Sequence, residues 1–315
     1  MRASLRIATR GSRLALWQAN WVKSQIEQNH PGQTVELVIV QTKGDRIQDR
    51  PLSQVGGKGL FVKELEASLF REAADLAVHS LKDVTGEVPE GLALPVVTAR
   101  EDFREALVAP RHGSFCELPS GAVVGTSSLR RAAQLLHLRP DLEIQPIRGN
   151  VETRLNKVDS GAFDATLLAV AGLKRLELES RITEVFPPEM LLPALGQGVL
   201  GLEIRADDPA TLELIQPLQD ETTALCCQAD RRLLERLEGN CQVPLAGLCE
   251  RRGERLLLRG QLLAPDGQQV VEHKAESAAT LEAARALGDE VANAILNSGG
   301  REILAALKLS SALNP

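Results

Sequence analysis

Residues 122–170 read AVVGTSSLRRAAQLLHLRPDLEIQPIRGNVETRLNKVDSGAFDATLLAV. Apolar runs and helical patterns alternate along this stretch. Strands are predicted at 122–125, 143–147 and 165–170, with helices at 129–138 and 151–158. The strands are nearly continuous apolar runs, as expected when helices bury both faces of a sheet. Such alternation predicts a mostly parallel, doubly wound α/β sheet.

The same rhythm extends toward the N-terminus. Strands are predicted at 5–9, 35–42, 75–79 and 92–98, and helices at 14–28 and 60–71. Past a proline-rich crossing at 187–193, one more buried strand is predicted at 200–204. The pattern then changes. A helix at 221–237 precedes a hairpin of 256–263 and 269–276 around Pro265-Asp266-Gly267, and a closing helix is expected at 281–296. A charged stretch at 100–104 marks a further boundary. Three domains are therefore expected: 1–99 together with 200–219, 100–199, and a smaller α+β unit at 220–315.

Length and composition agree with this division. A chain of 315 residues exceeds one ordinary core. Six Phe, two Trp and no Tyr leave Leu, Ile, Val and Ala to build the interior. So few aromatics, with a net charge of −6 and no basic tail, argue against nucleic-acid binding. No apolar run approaches a membrane span, and the N-terminal residues lack the apolar core of a signal peptide. Five cysteines at irregular spacing read as reduced thiols, with no metal-ligand pattern, and a cytoplasmic setting is expected.

Cationic residues recur where strands hand over to helices. Arg10 and Ser12 follow the first strand, Lys58 lies in a Gly-Gly-Lys-Gly loop, and Lys82 and Asp83 follow the strand at 75–79. Thr126, Ser127, Ser128, Arg130 and Arg131 follow the strand at 122–125; Arg148 and Gly149 follow that at 143–147, with Arg154 one turn on. In a doubly wound sheet these positions share the rim where ligands bind, and helix N-termini there favour anions. An acidic protein with its cations on one rim suits a small polyanion. Any single arginine at a strand end reads equally well as a solvated surface residue. The glycine loop fails the phosphate-binding pattern, because Gly59 stands where a hydroxyl residue is needed. Asp83 beside Lys82 is either a surface ion pair or a carboxylate able to stabilise a cationic intermediate. His79 reads more naturally as a structural histidine than as a base. Gly239-Asn240 and Pro244 place Cys241 on a loop where its thiol can be reached, whereas Cys226 and Cys227 lie within a helix.

Several of these segments resemble the porphobilinogen deaminase family. They are VGGKGLF (55–61) with KELE (63–66), AVHSLKD (77–83), GTSSLRR (125–131), RGNV (148–151), AVAGLKRL (169–176), LGQG (195–198) and CQVP (241–244). Their order and spacing match, and the resemblance runs from about Leu5 to the C-terminal helix. It implies two domains like the halves of a periplasmic solute-binding protein, joined by hinges, and a third that carries the cofactor. That cofactor is a dipyrromethane, a two-pyrrole primer held by a thioether on the cysteine matching Cys241. It implies a transferase of tetrapyrrole (heme) biosynthesis, expected to act as a monomer. Four porphobilinogen molecules are deaminated and joined head to tail, and water releases hydroxymethylbilane. Asp83 matches the catalytic aspartate, expected to contact pyrrole N–H groups. Arg10, Ser12, Lys82, Thr126, Ser128, Arg130, Arg131, Arg148 and Arg154 match positions that hold carboxylates of cofactor and substrate. Ser127 and Gly149 belong to the same loops, Lys58 and Phe61 match a mobile loop over the cleft, and Gln18 and Arg175 are further members. Every pyrrole brings an acetate and a propionate, which accounts for a cationic rim.

The sequence departs from the family pattern in places. Arg13, Thr85 and Phe103 stand at usual prolines, Glu105 at a usual aspartate and Asn240 at a frequent glycine. None removes a catalytic group. Two other classes fit part of the sequence. A non-catalytic anion-binding protein explains the cations but leaves Cys241 and Asp83 idle; a thiol-dependent acyltransferase with His79 as base leaves the arginines idle.

Overall fold

The computed structural model describes residues 4–46, 59–237 and 243–313. Lys58 and Cys241 lie outside the described residues.

The N-terminal elements are β1 (Leu5–Arg10), α1 (Arg13–Asn29), β2 (Val35–Val40), α2 (Lys63–Phe70), β3 (Leu76–Ser80) and β4 (Leu92–Val97). A second group follows: β5 (Glu105–Val108), β6 (Val123–Gly125), α3 (Leu129–Leu138), β7 (Glu143–Gln145), α4 (Val151–Asp159), β8 (Ala165–Ala169), α5 (Val170–Arg175) and β9 (Glu184–Phe186). The chain then returns through β10 (Leu200–Arg205) and α6 (Pro209–Ile215). It ends with α7 (Glu221–Arg236), β11 (Leu245–Arg252), β12 (Arg255–Leu263), β13 (Val270–Ala278), α8 (Leu281–Ile295) and α9 (Arg301–Leu313).

Two five-stranded sheets share one topology. The first runs β2-β1-β3-β10-β4 and the second β7-β6-β8-β5-β9. In each, a single strand is reversed, β10 in the first and β5 in the second, and it pairs antiparallel with both neighbours. The expectation of mostly parallel sheets holds: in each, four strands run one way and a fifth crosses back between them. The cores are aliphatic, as the composition requires. Leu5, Ile7, Leu76, Leu202 and Ile204 fill the first sheet's interior, and Leu107, Val124, Leu135 and Leu167 the second. Phe115 and Phe186 add one edge-to-face pair at 5.4 Å.

The α/β class with a smaller α+β unit at the C-terminus holds. The third sheet is an antiparallel β11-β12-β13 meander. Helices α7 and α8 pack together against it, with Leu233, Leu258, Leu287 and Val291 fully buried between them. The sequence reading missed β5, β9 and β11. Helix 281–296 is not the closing one, because α9 continues after a kink in which Gly299 adopts φ +107°. Glycine tolerates that turn and lets the chain restart a helix.

Two segments cross between the first two sheets, after Val97 and again before Leu200, and they touch. Glu101 N donates to Gly198 O at 3.2 Å, and a side chain on Gly198 would meet Glu101 O at 2.3 Å. Only glycine, here at φ +87°, permits this crossing.

Candidate active site

Strand ends of both sheets converge on one cavity of about 950 Å³. Three helix N-termini face it. Ser12, Ser128 and Asn150 cap α1, α3 and α4, their side chains accepting Ala15, Arg131 and Thr153 N–H, and all three residues line the cavity. These caps follow β1, β6 and β7, so the positive dipole ends gather where the sheets end.

Among the described residues, seven cationic side chains line the cavity against one carboxylate, Asp83. Lys82 and Asp83 sit in a 3₁₀ turn directly after β3. The Lys82 ammonium donates to Gln197 Oε1 at 3.0 Å. Burial and the nearby Arg131 push it down to about 8, with Asp83 and Glu105 acting in the opposite sense. The Arg10 guanidinium lies 4.1 Å above the Phe61 ring. Arg148 donates across the cleft to Gly44 O at 3.2 Å. Arg154 donates to Gly149 O at 2.9 Å; burial, with Arg131 and Arg148 close by, brings it down to about 10. Gly149 adopts φ +114°, and a Cβ there would lie 2.5 Å from Thr153 Cγ2, so the loop before α4 needs glycine. Arg175 is brought down to about 10 by burial, donates to Gly198 O at 2.8 Å and lies over Trp17. Gln18 also lines the cavity, its amide donating to Ser80 Oγ at 2.9 Å.

The remaining candidates separate. Ser127 lines the cavity, but its hydroxyl donates to Ile147 O at 2.7 Å. Thr126 is not in the wall; it is buried, and its Oγ1 accepts Ser128 N–H. Arg130 and Arg131 reach the wall with their guanidinium groups already engaged by Glu105, at 2.7 Å in each case. Lys58 and Cys241 lie outside the described residues; Val243, two residues past Cys241, lines the cavity, as do Leu234 and Leu245 of the third unit.

Two residues that the sequence reading passed over belong here. In the sequence Glu105 figures only as a departure from the family pattern, and Gln197 only as part of a motif. Both are wholly buried among the cations. The signal was the spacing of Glu105 to the Arg130-Arg131 pair, which has no meaning until β5 and α3 are neighbours. His79 resolves the other way. It is buried, contacts Glu203 at 2.9 Å and is absent from the cavity wall, a structural role that gives an acyltransferase no base there. Cys226 and Cys227 are buried in α7.

The donor set fits a dipyrromethane carrying several carboxylates. Burial lowers Lys82, Arg154 and Arg175, and neighbouring cations add to this at the first two, which marks a cluster short of negative charge. An anionic ligand supplies what is missing.

Comparison with known proteins gives the lineage. Residues 5–213 match the family model described as porphobilinogen deaminase, dipyromethane cofactor binding domain, and residues 224–297 match porphobilinogen deaminase, C-terminal domain. The chain is 53% identical over 308 residues to the porphobilinogen deaminase of Syntrophotalea carbinolica, covering 98% of this chain and 97% of the relative. Among solved structures it is similar to the methionine-binding protein MetQ, at 13% identity and TM-score 0.46, covering 69% of this chain and 91% of that one. It is also similar to the aliphatic sulphonate binding protein SsuA of Escherichia coli, at 15% identity and TM-score 0.39, covering 76% and 71%. Both structural likenesses are too distant to bear on what the cavity holds. The two family models, matched in order over most of the length, and the 53% identity together show that this chain belongs to the porphobilinogen deaminase family.

Proposed function

We propose how the residues of this cavity carry out the family's reaction. The chain is a porphobilinogen deaminase, a transferase of tetrapyrrole synthesis with a dipyromethane-binding domain. It deaminates porphobilinogen and joins four units head to tail, releasing hydroxymethylbilane by hydrolysis. The observation that carries the residue assignment is that, among the described residues, seven cations line the cavity against Asp83 alone, at three helix N-termini.

The dipyrromethane, when bound, supplies the free pyrrole carbon to which new units are joined. Arg10, Lys82, Arg148, Arg154 and Arg175 hold acetate and propionate groups, with the caps of α1, α3 and α4 adding N–H donors. Arg131 contributes from a guanidinium fixed by Glu105. Asp83, in the cavity wall, would supply the negative charge that stabilises the cation left on an incoming pyrrole when its C–N bond breaks and ammonia departs. Cys241 holds the cofactor through a thioether; Val243 in the cavity wall supports this position. Phe61 lines the cleft beneath Arg10, and Lys58 is assigned to ligand binding by its match to the family motif alone.

The three domains comprise 1–99 with 200–219, 100–199, and 220–315, a division supported by the membership of the three sheets. The enzyme works as a cytoplasmic monomer on a small-molecule substrate and binds neither nucleic acid nor membrane. Among the described residues no helix is long and apolar enough to cross a bilayer.

Intact-mass measurement tests the attachment. Cys241→Ala is expected to lose the mass of two pyrrole units, while Cys226→Ala and Cys227→Ala keep it. An adduct mapped to another cysteine would overturn the assignment.

A further inference from the structure

Glu105 begins β5 and is fully buried without lining the cavity itself. Its two oxygens gather four donors from distant parts of the chain. Arg130 Nη2 lies at 2.7 Å, Arg131 Nη2 at 2.7 Å and Nε at 3.0 Å, and Gln197 Nε2 at 3.1 Å. Gln197, itself fully buried, turns its other end outward: Gln197 Oε1 accepts the Lys82 ammonium at 3.0 Å. One carboxylate in the second sheet thus gathers two arginines of α3 and, through one amide, a lysine that follows the first sheet.

Three cations this close repel one another and lose hydration together. Without a shared counter-charge they would turn away toward solvent, and the cavity wall would lose its convergence. Burial alone would raise the Glu105 carboxyl, yet Arg131, Arg130 and Lys82 outweigh it and hold the group at about 2. The carboxylate is therefore fixed in its charged form across the working pH range.

We propose that Glu105 is a positioning residue of the reaction: through Arg130 and Arg131 directly, and Lys82 by way of Gln197, it aims cations from two sheets at the ligand's carboxylates. This rests on the reading of the cavity given above.

The test reads Lys82 itself, so that it remains informative even if the assigned reaction fails. The charged groups facing Lys82 are Asp83 on its own turn, Arg130 and Arg131 on α3, and Glu105 on β5. Acetylation of Lys82 by acetic anhydride, followed by peptide mass across pH in the purified holoenzyme, gives the midpoint at which its amine becomes reactive. Glu105 favours the charged amine, so Glu105→Gln is expected to lower that midpoint by about one pH unit. Glu105→Asp keeps the charge and should restore most of the shift and most of kcat, a rescue that loss of packing alone would not give. Gln197→Met leaves the arginine bonds in place and should lower the Lys82 midpoint by a smaller amount. If Glu105→Gln fails to fold, Gln197→Met decides. Lys82 midpoints equal to the parent's, or a Glu105→Asp variant no better than Glu105→Gln, would overturn the proposal.

Discussion

Arg13 and Glu152 meet across the mouth of the cleft, Arg13 Nη1 lying 3.4 Å from Glu152 Oε1. Each stands in the first turn of its helix, α1 and α4, so the bridge joins an element of the first sheet to one of the second. Arg13 occupies a position where the family commonly has proline. Proline suits the first position of a helix, which is where Arg13 lies behind its Ser12 cap. The pair is exposed, and such bridges contribute about 0–1 kcal/mol. Arg13→Pro should therefore shift the thermal midpoint by no more than ~4 °C and leave turnover unchanged. A large loss of turnover in a fully folded variant would instead make the bridge part of cleft closure.

Among the described residues, Asp83 is the one carboxylate in the cavity wall. Asp83→Asn keeps the size and removes the charge. Loss of a preorganised electrostatic group of this kind lowers turnover by roughly 10²–10³. Asp83→Glu keeps the charge but displaces it, and should retain more activity than the amide. The measurement is steady-state hydroxymethylbilane production at matched cofactor content. An Asp83→Asn variant as fast as the parent would reduce Asp83 to a surface partner of Lys82.

Arg154 is half-buried beside Arg131 and Arg148, and desolvation together with these like charges brings it down to about 10. Removing a charge that the folded protein disfavours should relieve strain. Arg154→Leu is expected to hold or raise the thermal midpoint. Its loss should appear in ligand handling. A charged hydrogen bond of about 1.5–3 kcal/mol corresponds to roughly ten- to hundred-fold weaker substrate use. A variant that melts early yet keeps its kcat/KM would make Arg154 structural.

Lys82, brought down to about 8, gives the pH dependence its sign. Below that value the amine is charged and can hold a carboxylate; above it the charge is lost. The alkaline limb of kcat/KM reports the free holoenzyme, whose primer carboxylates favour the charged amine, so it should fall above about 8. A bound carboxylate favours the charged amine, so the limb of kcat should lie at higher pH. Coincident limbs, or a profile flat to pH 10, would exclude Lys82 as a charged ligand-holding group.

Much of this site was legible because its parts are local. Strand, tight turn, capping residue and helix follow one another within a few positions, and Lys82-Asp83, Ser128 and Arg148-Gly149 fall at those joints. Glu105 was not legible for the opposite reason. A charged residue opening a four-residue strand reads as surface, and its burial depends on arginines 25 and 26 positions later. Strand β9, with three residues, is too short for its period to register. The reversed strands were hidden too. An apolar run looks the same whichever way it lies in a sheet, so direction comes from where the chain must cross, not from residue type.

The placement of β10 also sets an order for synthesis. This strand lies inside the first sheet, between β3 and β4, but is made after the whole of the second sheet. A ribosome moving at ordinary speed needs roughly 5–20 seconds for the hundred or so residues between β4 and β10. Through that interval β1 to β4 leave the ribosome with a gap where β10 belongs, while β5 to β9 are made one after another and are complete once Phe186 is added, before β10 begins. The second sheet can therefore close first, although it is encoded second. The N-terminal strands wait with open edges, and the nascent chain is most exposed to misassembly before residue 205 emerges.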